Sequence, residues 1–215
     1  SEDRGKANYG WLDTKYSFSF ANYYNPKMMN FGMLRVLNDD TVVPAMGFGT
    51  HPHDNMEIIT LVLEGALEHK DSMGTGSVIY KDEVQVMSAG SGITHSEFNP
   101  SDKDGVKLFQ IWIFPKEKNI KPRYDQKSFP ISERKNKLIP AVSGLNKEGS
   151  LYIHQDAEIY LGNFEKGKKV NYQISNPANG AYVFAIDGSL KVGDEELFNR
   201  DAIGISEVNN FEIEM

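Results

Sequence analysis

The sequence predicts an all-β protein organised in two halves, and three observations carry that prediction. Helical periodicity is scarce, short apolar or alternating runs recur between Gly-, Asp- and Asn-containing turns, and a polar stretch with three prolines divides the chain past its middle. With 215 residues and 40% hydrophobic content, the chain is long enough for one large β domain or two small ones with buried cores, and length alone does not choose between them.

In the first half, strands are expected near Met33–Leu37, Met56–Leu63, Leu67–His69, Val78–Tyr80, Val84–Met87, Ile93–Phe98 and Leu108–Phe114. Glu64-Gly65, Met73-Gly74-Thr75-Gly76, Lys81-Asp82 and Asn99-Pro100-Ser101-Asp102 supply the turns between them. An aromatic-rich N-terminal segment with Trp11, Phe18, Phe20, Tyr23 and Tyr24 is expected to pack over the first barrel. Residues 115–130 hold three prolines and five Lys or Arg residues after the apolar run Ile111-Trp112-Ile113-Phe114, and read as a linker. The expected domains are therefore 1–120 and 121–215. In the second, Leu151–Ile153, Ile159–Leu161, Val170–Ile174, Tyr182–Ile186, Leu190–Val192, Ala202–Ile205 and Phe211–Ile213 read as strands.

The halves resemble each other. Leu61-Val62-Leu63-Glu64-Gly65-Ala66-Leu67 aligns with Phe184-Ala185-Ile186-Asp187-Gly188-Ser189-Leu190, as an internal duplication would produce. The same alignment puts His51 and His53 opposite Ile174 and Asn176, and a later one puts Glu207 opposite His95. The second half then lacks the histidine set of the first.

Composition excludes several functions. A net charge of -7 offers no clustered basic face for a phosphate backbone, so direct nucleic-acid binding is not expected. No apolar run approaches the roughly 20 residues that span a bilayer, and Ser1-Glu2-Asp3-Arg4 lacks the basic-then-apolar order of a signal peptide; a cytoplasmic, non-membrane protein is expected. With no Cys, any metal ligands must be His and carboxylates.

Four of the five histidines lie in the first half, three of them in His51-Pro52-His53 and in Gly90-Ser91-Gly92-Ile93-Thr94-His95-Ser96-Glu97. In a strand, residues i and i+2 share a face, so His51 with His53, and His95 with Glu97, each form a two-ligand edge. If the two strands are neighbours, four ligands converge on one cation. Imidazole and carboxylate suit borderline divalent metals, and such a set on an octahedral ion leaves two positions open for chemistry. His69 and His154 read instead as surface or internally satisfied histidines, and Asp71, Ser72 and Met73 are assigned no chemistry. Met46, Phe48, Met73, Met87, Phe98 and Phe109 read as barrel core that would also permit a flat aromatic ligand.

His51-x-His53-xxx-Glu57 followed by Gly90-x-Gly92-xx-His95-xxx-Asn99 resembles the two cupin motifs, with Gly90 where many cupins carry Pro. More specifically, Gly10-Trp11-Leu12-Asp13, Phe18-Ser19-Phe20-Ala21, Phe48-Gly49-Thr50-His51-Pro52-His53, Leu63-Glu64-Gly65 and the segment Ser88–Glu97 resemble the pirin family, above all its bacterial quercetinase-like members. The resemblance covers nearly all of the first half and weakens in the second. It implies a bicupin: two jelly-roll-like β-barrel domains packed together, with one metal ion, iron(II), on His51, His53, His95 and Glu97. Copper, manganese, cobalt, nickel and zinc accept the same ligand types. Glu57 lies four residues beyond His53 on the same strand face and is expected to orient a ligating histidine from behind.

The activity implied is quercetin 2,3-dioxygenase: oxygen-dependent ring cleavage of a planar phenolic substrate, with Glu97, or Glu57 if it points inward, as the base. The alternative, from a different class, is a non-catalytic regulator that binds a protein partner in a metal- or redox-dependent way. A monomer is expected, because a bicupin closes its barrel interface within one chain. Family members usually have a few more residues before the equivalent of Arg4-Gly5, so the start at Ser1 is expected to be incomplete.

Overall fold

A computed structural model describes residues 2–215; Ser1, the start of the expected first domain, lies outside them. Among the described residues the chain is nearly all β, with a single 3-10 turn at Ile131–Glu133. The backbone divides into two units. The larger comprises Arg4–Glu133 and Ile139–Leu161, and the smaller is mainly Arg134–Leu138 and Gly162–Met215. Residues 121–133 and 139–161, assigned by sequence to the second domain, thus belong to the larger unit.

The larger unit begins with β1 (Gly5–Asn8), β2 (Leu12–Tyr16), β3 (Leu34–Val42), β4 (Gly47–His53), β5 (Glu57–Glu64) and β6 (Ala66–Asp71). It continues with β7 (Gly76–Tyr80), β8 (Glu83–Ser88), β9 (Ile93–Phe98), β10 (Val106–Ile113) and β11 (Arg123–Ser128). One sheet runs β1-β2-β3-β10-β5-β8-β11, and a second runs β4-β9-β6-β7. The linker expectation for residues 115–130 is corrected here, because β11 pairs antiparallel with β8 over six residues. β11 is an edge strand with only partly buried or exposed residues, so no apolar alternation marked it in the sequence. β12 (Leu138–Ser143), β13 (Leu151–Tyr152) and β14 (Glu158–Gly162) form a small third sheet.

The smaller unit holds β15 (Lys169–Gln173), β16 (Ala181–Phe184), β17 (Leu190–Val192), β18 (Glu195–Leu197), β19 (Ala202–Ile205) and β20 (Asn210–Glu214). They pair as β15-β20-β17-β18 and β16-β19. The suspected repeat has a structural counterpart. β5 leads through Gly65, at φ 76°, into a strand of another sheet, and β16 leads likewise to β17 through Gly188, at φ 78°. Only a residue without a Cβ adopts that backbone at no steric cost.

Strand parity layers the interior of the larger unit. On β5, Ile58, Thr60 and Val62 are all fully buried on one face. Val62 joins an apolar cluster with Leu12, Val42, Leu67, Ile79, Val106 and Leu108, while Ile58 joins another with Met87, Ala89 and Ile93. Each fully buried aliphatic side chain contributes roughly 1.5–3 kcal/mol. Thr60 sits between these clusters in a row of directly opposed polar residues, Asn38, Gln110, Thr60 and Gln85. A polar layer between two apolar ones costs stability unless its groups find partners.

Candidate metal centre

Strand β9 lies between β4 and β6, and its register places the predicted residues. His51 stands directly opposite His95, and Asp71 opposes His95 from the other side. Phe48 and His69 flank Glu97 in the same way, the β4 ladder slipping between Phe48 and His51. Period-two alternation buries Ile93, His95 and Glu97 while Thr94 and Phe98 face out.

Three imidazoles converge. The His51 and His95 Nε2 atoms are 3.0 Å apart, and the ring centroids of His51, His53 and His95 lie 4.4–4.9 Å from one another. His51 Nδ1 is 2.7 Å from the Gly49 carbonyl oxygen, to which it donates its proton, leaving a free lone pair on Nε2. The His53 ring meets the edge of Trp112, with centroids 5.0 Å apart. Burial, then the neighbouring imidazoles, push His95 down to about 2. Burial and His51 bring His53 down to about 4, against the opposing pull of Asp54. Both rings are therefore neutral near pH 7, with lone pairs available.

Glu97 is 3% exposed and stands deeper in the layer. Gln110 donates its side-chain amide to Oε2 at 3.1 Å and to Oε1 at 3.4 Å, and the Thr60 hydroxyl lies 3.4 Å from Oε1. Burial, helped by the charge of Asp40, pushes its carboxyl up to about 7, while Gln110 and Thr60 pull the other way.

Among the described residues two sets of side chains could hold a metal ion: His51, His53 and His95; and His69, His95 and Glu97. His95 is common to both sets, whereas Glu97 is grouped with His69 and His95 and not with His51 and His53. The donors fit a borderline divalent cation, being neutral imidazoles and a carboxylate with no thiolate. Neighbouring ligands at right angles on an ion about 2.1 Å from each nitrogen stand about 3.0 Å apart, the spacing His51 and His95 show.

His69 was missed. It is fully buried, with Nδ1 3.4 Å from His95 Nδ1 and Nε2 3.1 Å from Asp71 Oδ2. The available signal was the alternation in Leu67-Glu68-His69-Lys70-Asp71, which turns the charged Glu68 and Lys70 outward and carries His69 and Asp71 inward. Glu57 is also fully buried, but the Ser88 hydroxyl donates to its Oε2 at 2.7 Å, and burial pushes its carboxyl up against the opposing pull of Ser88, His154 and Arg123. No hydrogen bond links it to the three converging imidazoles.

An open cleft of about 440 Å³ borders His53 and is lined also by Pro52, Asp54, Ser72, Ile93 and Thr94. The apolar residues proposed from sequence to line a pocket do not line this cleft. Met87 and Phe109 are core, whereas Met46, Met73 and Phe98 are exposed at other positions.

A barrel-like β unit with histidines converging inside it defines the chain as a cupin-type protein. The Pirin family model matches residues 1–113, and the quercetinase C-terminal cupin domain model matches residues 141–215. The chain is 42% identical over 205 residues to a quercetin 2,3-dioxygenase of Escherichia coli K12, covering 95% of this chain and 87% of that protein. It is 40% identical over 204 residues to a pirin-like protein of Caulobacter vibrioides, covering 94% and 87% of the two chains. The crystal structure of the bacterial pirin YhhW from E. coli in complex with nickel(II) superposes with a TM-score of 0.93 at 41% identity, over 99% of this chain and 90% of that one. The chain belongs to the pirin family. Among the described residues no helix is long and apolar enough to cross a membrane.

Proposed function

We propose that this chain is a metal-dependent dioxygenase of the pirin type that cleaves the ring of a flavonol such as quercetin, with loss of carbon monoxide. Its site is one divalent ion, iron(II), held by His51, His53, His95 and Glu97. The single observation that carries this reading is the convergence of neutral imidazoles, with a buried carboxyl two residues further along β9, next to an open cleft. The names of the E. coli relative and of the nickel-bound bacterial pirin support the activity and the metal chemistry.

When bound, the metal supplies Lewis acidity and one-electron chemistry toward dioxygen. The chain's own residues do the remainder. Glu97, which a bound cation would hold as a carboxylate, takes the proton of the flavonol 3-hydroxyl and can return it. Gln110 and Thr60 hold that carboxylate in place. The cleft wall at Pro52, His53 and Ile93 receives a flat ring, and the buried rear of the site keeps water away. A monomer in the cytoplasm completes the reading.

The test is to purify the protein, measure its metal content, and follow quercetin absorbance, oxygen uptake and carbon monoxide release. Stoichiometric consumption of quercetin and oxygen, lost in His95→Ala together with the metal, is the expected result. A full complement of iron without turnover would favour the regulatory alternative.

A further inference from the structure

We infer that His69 and Asp71 are positioning residues that set the tautomer of His95, through a carboxylate–imidazole–imidazole chain ending at the nitrogen that faces the metal. The inference rests on the metal-binding reading above and extends it to two residues outside the proposed ligand set.

The direction of every hydrogen bond in the chain follows from its far end. The backbone N–H groups of Met73 and Thr75 donate to Asp71 Oδ1 at 2.9 and 3.0 Å, so that oxygen is fixed as an acceptor. Its partner, Oδ2, faces His69 Nε2 at 3.1 Å. A carboxylate only accepts, so His69 carries its proton on Nε2 and presents a lone pair at Nδ1. His95 Nδ1 lies 3.4 Å from that lone pair and must be the donor. The remaining nitrogen of His95, Nε2, is then unprotonated, 3.0 Å from His51 Nε2. The Gly49 carbonyl imposes the same tautomer on His51. Two lone pairs at that distance repel, and a cation between them removes the repulsion.

The relay is built rigidly. His69 is fully buried, and the Tyr124 ring lies over it at 4.8 Å and 33°. The Tyr124 hydroxyl is held in turn by Ser77 and Gln126. Partners behind a metal-bound imidazole orient it and raise its donor strength, and their loss typically costs about 10–100-fold in metal affinity.

Asp71→Asn tests the relay with little change in shape. The N–H groups of Met73 and Thr75 still require an oxygen, so the new amide NH2 must face His69. His69 Nε2 then becomes an acceptor, Nδ1–H donates to His95 Nδ1, and the proton on His95 moves to Nε2, where it blocks ligation. Cobalt(II) binding, read by competition with a chelator and by the visible spectrum of the bound ion, should weaken about 10–100-fold in Asp71→Asn, with a changed spectrum. His69→Gln, whose amide both donates to Asp71 and accepts from His95, should stay within a few-fold of the parent. Thermal unfolding of both variants checks that the barrel is intact.

Parent-like affinity and spectrum in Asp71→Asn would overturn the relay while leaving the metal site standing. Two cobalt ions per chain, falling to one in His69→Gln, would also overturn it and make His69 a ligand of a second ion. If the parent protein binds no cobalt, or binds it undiminished in His95→Ala, the metal-binding reading fails and the relay with it.

Discussion

Gln110 on β10 donates its amide to Glu97 on β9 at 3.1 Å, tying the seven-stranded sheet to the four-stranded sheet at the depth of the histidines. Under the proposed ligand set, the protonation of Glu97 is linked to metal uptake, and this bond bears on it. Without metal, the Glu97 carboxyl sits near 7 and is mostly protonated at pH 6. A ligating carboxylate must lose that proton, so affinity should rise with pH through about 7. Calorimetry in two buffers of different ionisation heat should detect a proton released at pH 6 that is absent in Glu97→Gln. Gln110→Leu removes a donor that favours the charged form, and should move the rise to higher pH. Equal proton release in the parent and Glu97→Gln would exclude Glu97 as a ligand.

Asp40 on β3 governs stability rather than chemistry. It is 4% exposed, its Oδ1 has no hydrogen-bond partner, and burial lifts its carboxyl from 3.8 to about 7, with Asp39 adding to the rise and Thr14 opposing it. The sign follows from linkage. Well below 3.8 the group is neutral whether the chain is folded or not; between 3.8 and about 7 only the unfolded chain ionises freely, so the folded state is increasingly penalised as pH rises, and the penalty levels off above 7. Asp40→Asn should therefore match the parent at about pH 3 and exceed it at pH 8 by on the order of 2–4 kcal/mol in urea unfolding. A difference that does not change with pH would contradict this.

Gly47 permits the closest approach of β4 to β9. It stands opposite Phe98, and a Cβ there would lie 2.5 Å from Phe98 Cα and press on the Glu97 carbonyl. Backbone atoms cannot rotate away, so Gly47→Ala should force the two strands apart next to the site. The expected loss is on the order of 1–3 kcal/mol in denaturant unfolding, with weaker metal binding. Parent-like stability and affinity would show that the strands can slide without cost.

The legible part of this molecule was local. The i, i+2 spacing of His51 with His53 and of His95 with Glu97 needs only strand alternation, so the sequence revealed those pairs and their shared face. His69 reaches His95 across 26 positions of sequence, through the pairing of β6 with β9, and no nearby residue announces that contact. β11 escaped notice because an edge strand with no buried residue resembles a polar linker. The return of Ile139–Leu161 to the larger unit rests likewise on contacts distant in sequence, such as Arg123 donating to the Tyr152 carbonyl oxygen and Gln155 to that of Phe114.

The most direct test of the account is anomalous scattering from a crystal of the metal-loaded protein. A single peak about 2.0–2.3 Å from one nitrogen each of His51, His53 and His95 and from a Glu97 oxygen is the predicted result. A peak bound by other side chains, or one that leaves Glu97 hydrogen-bonded only to Gln110 and Thr60, would contradict it.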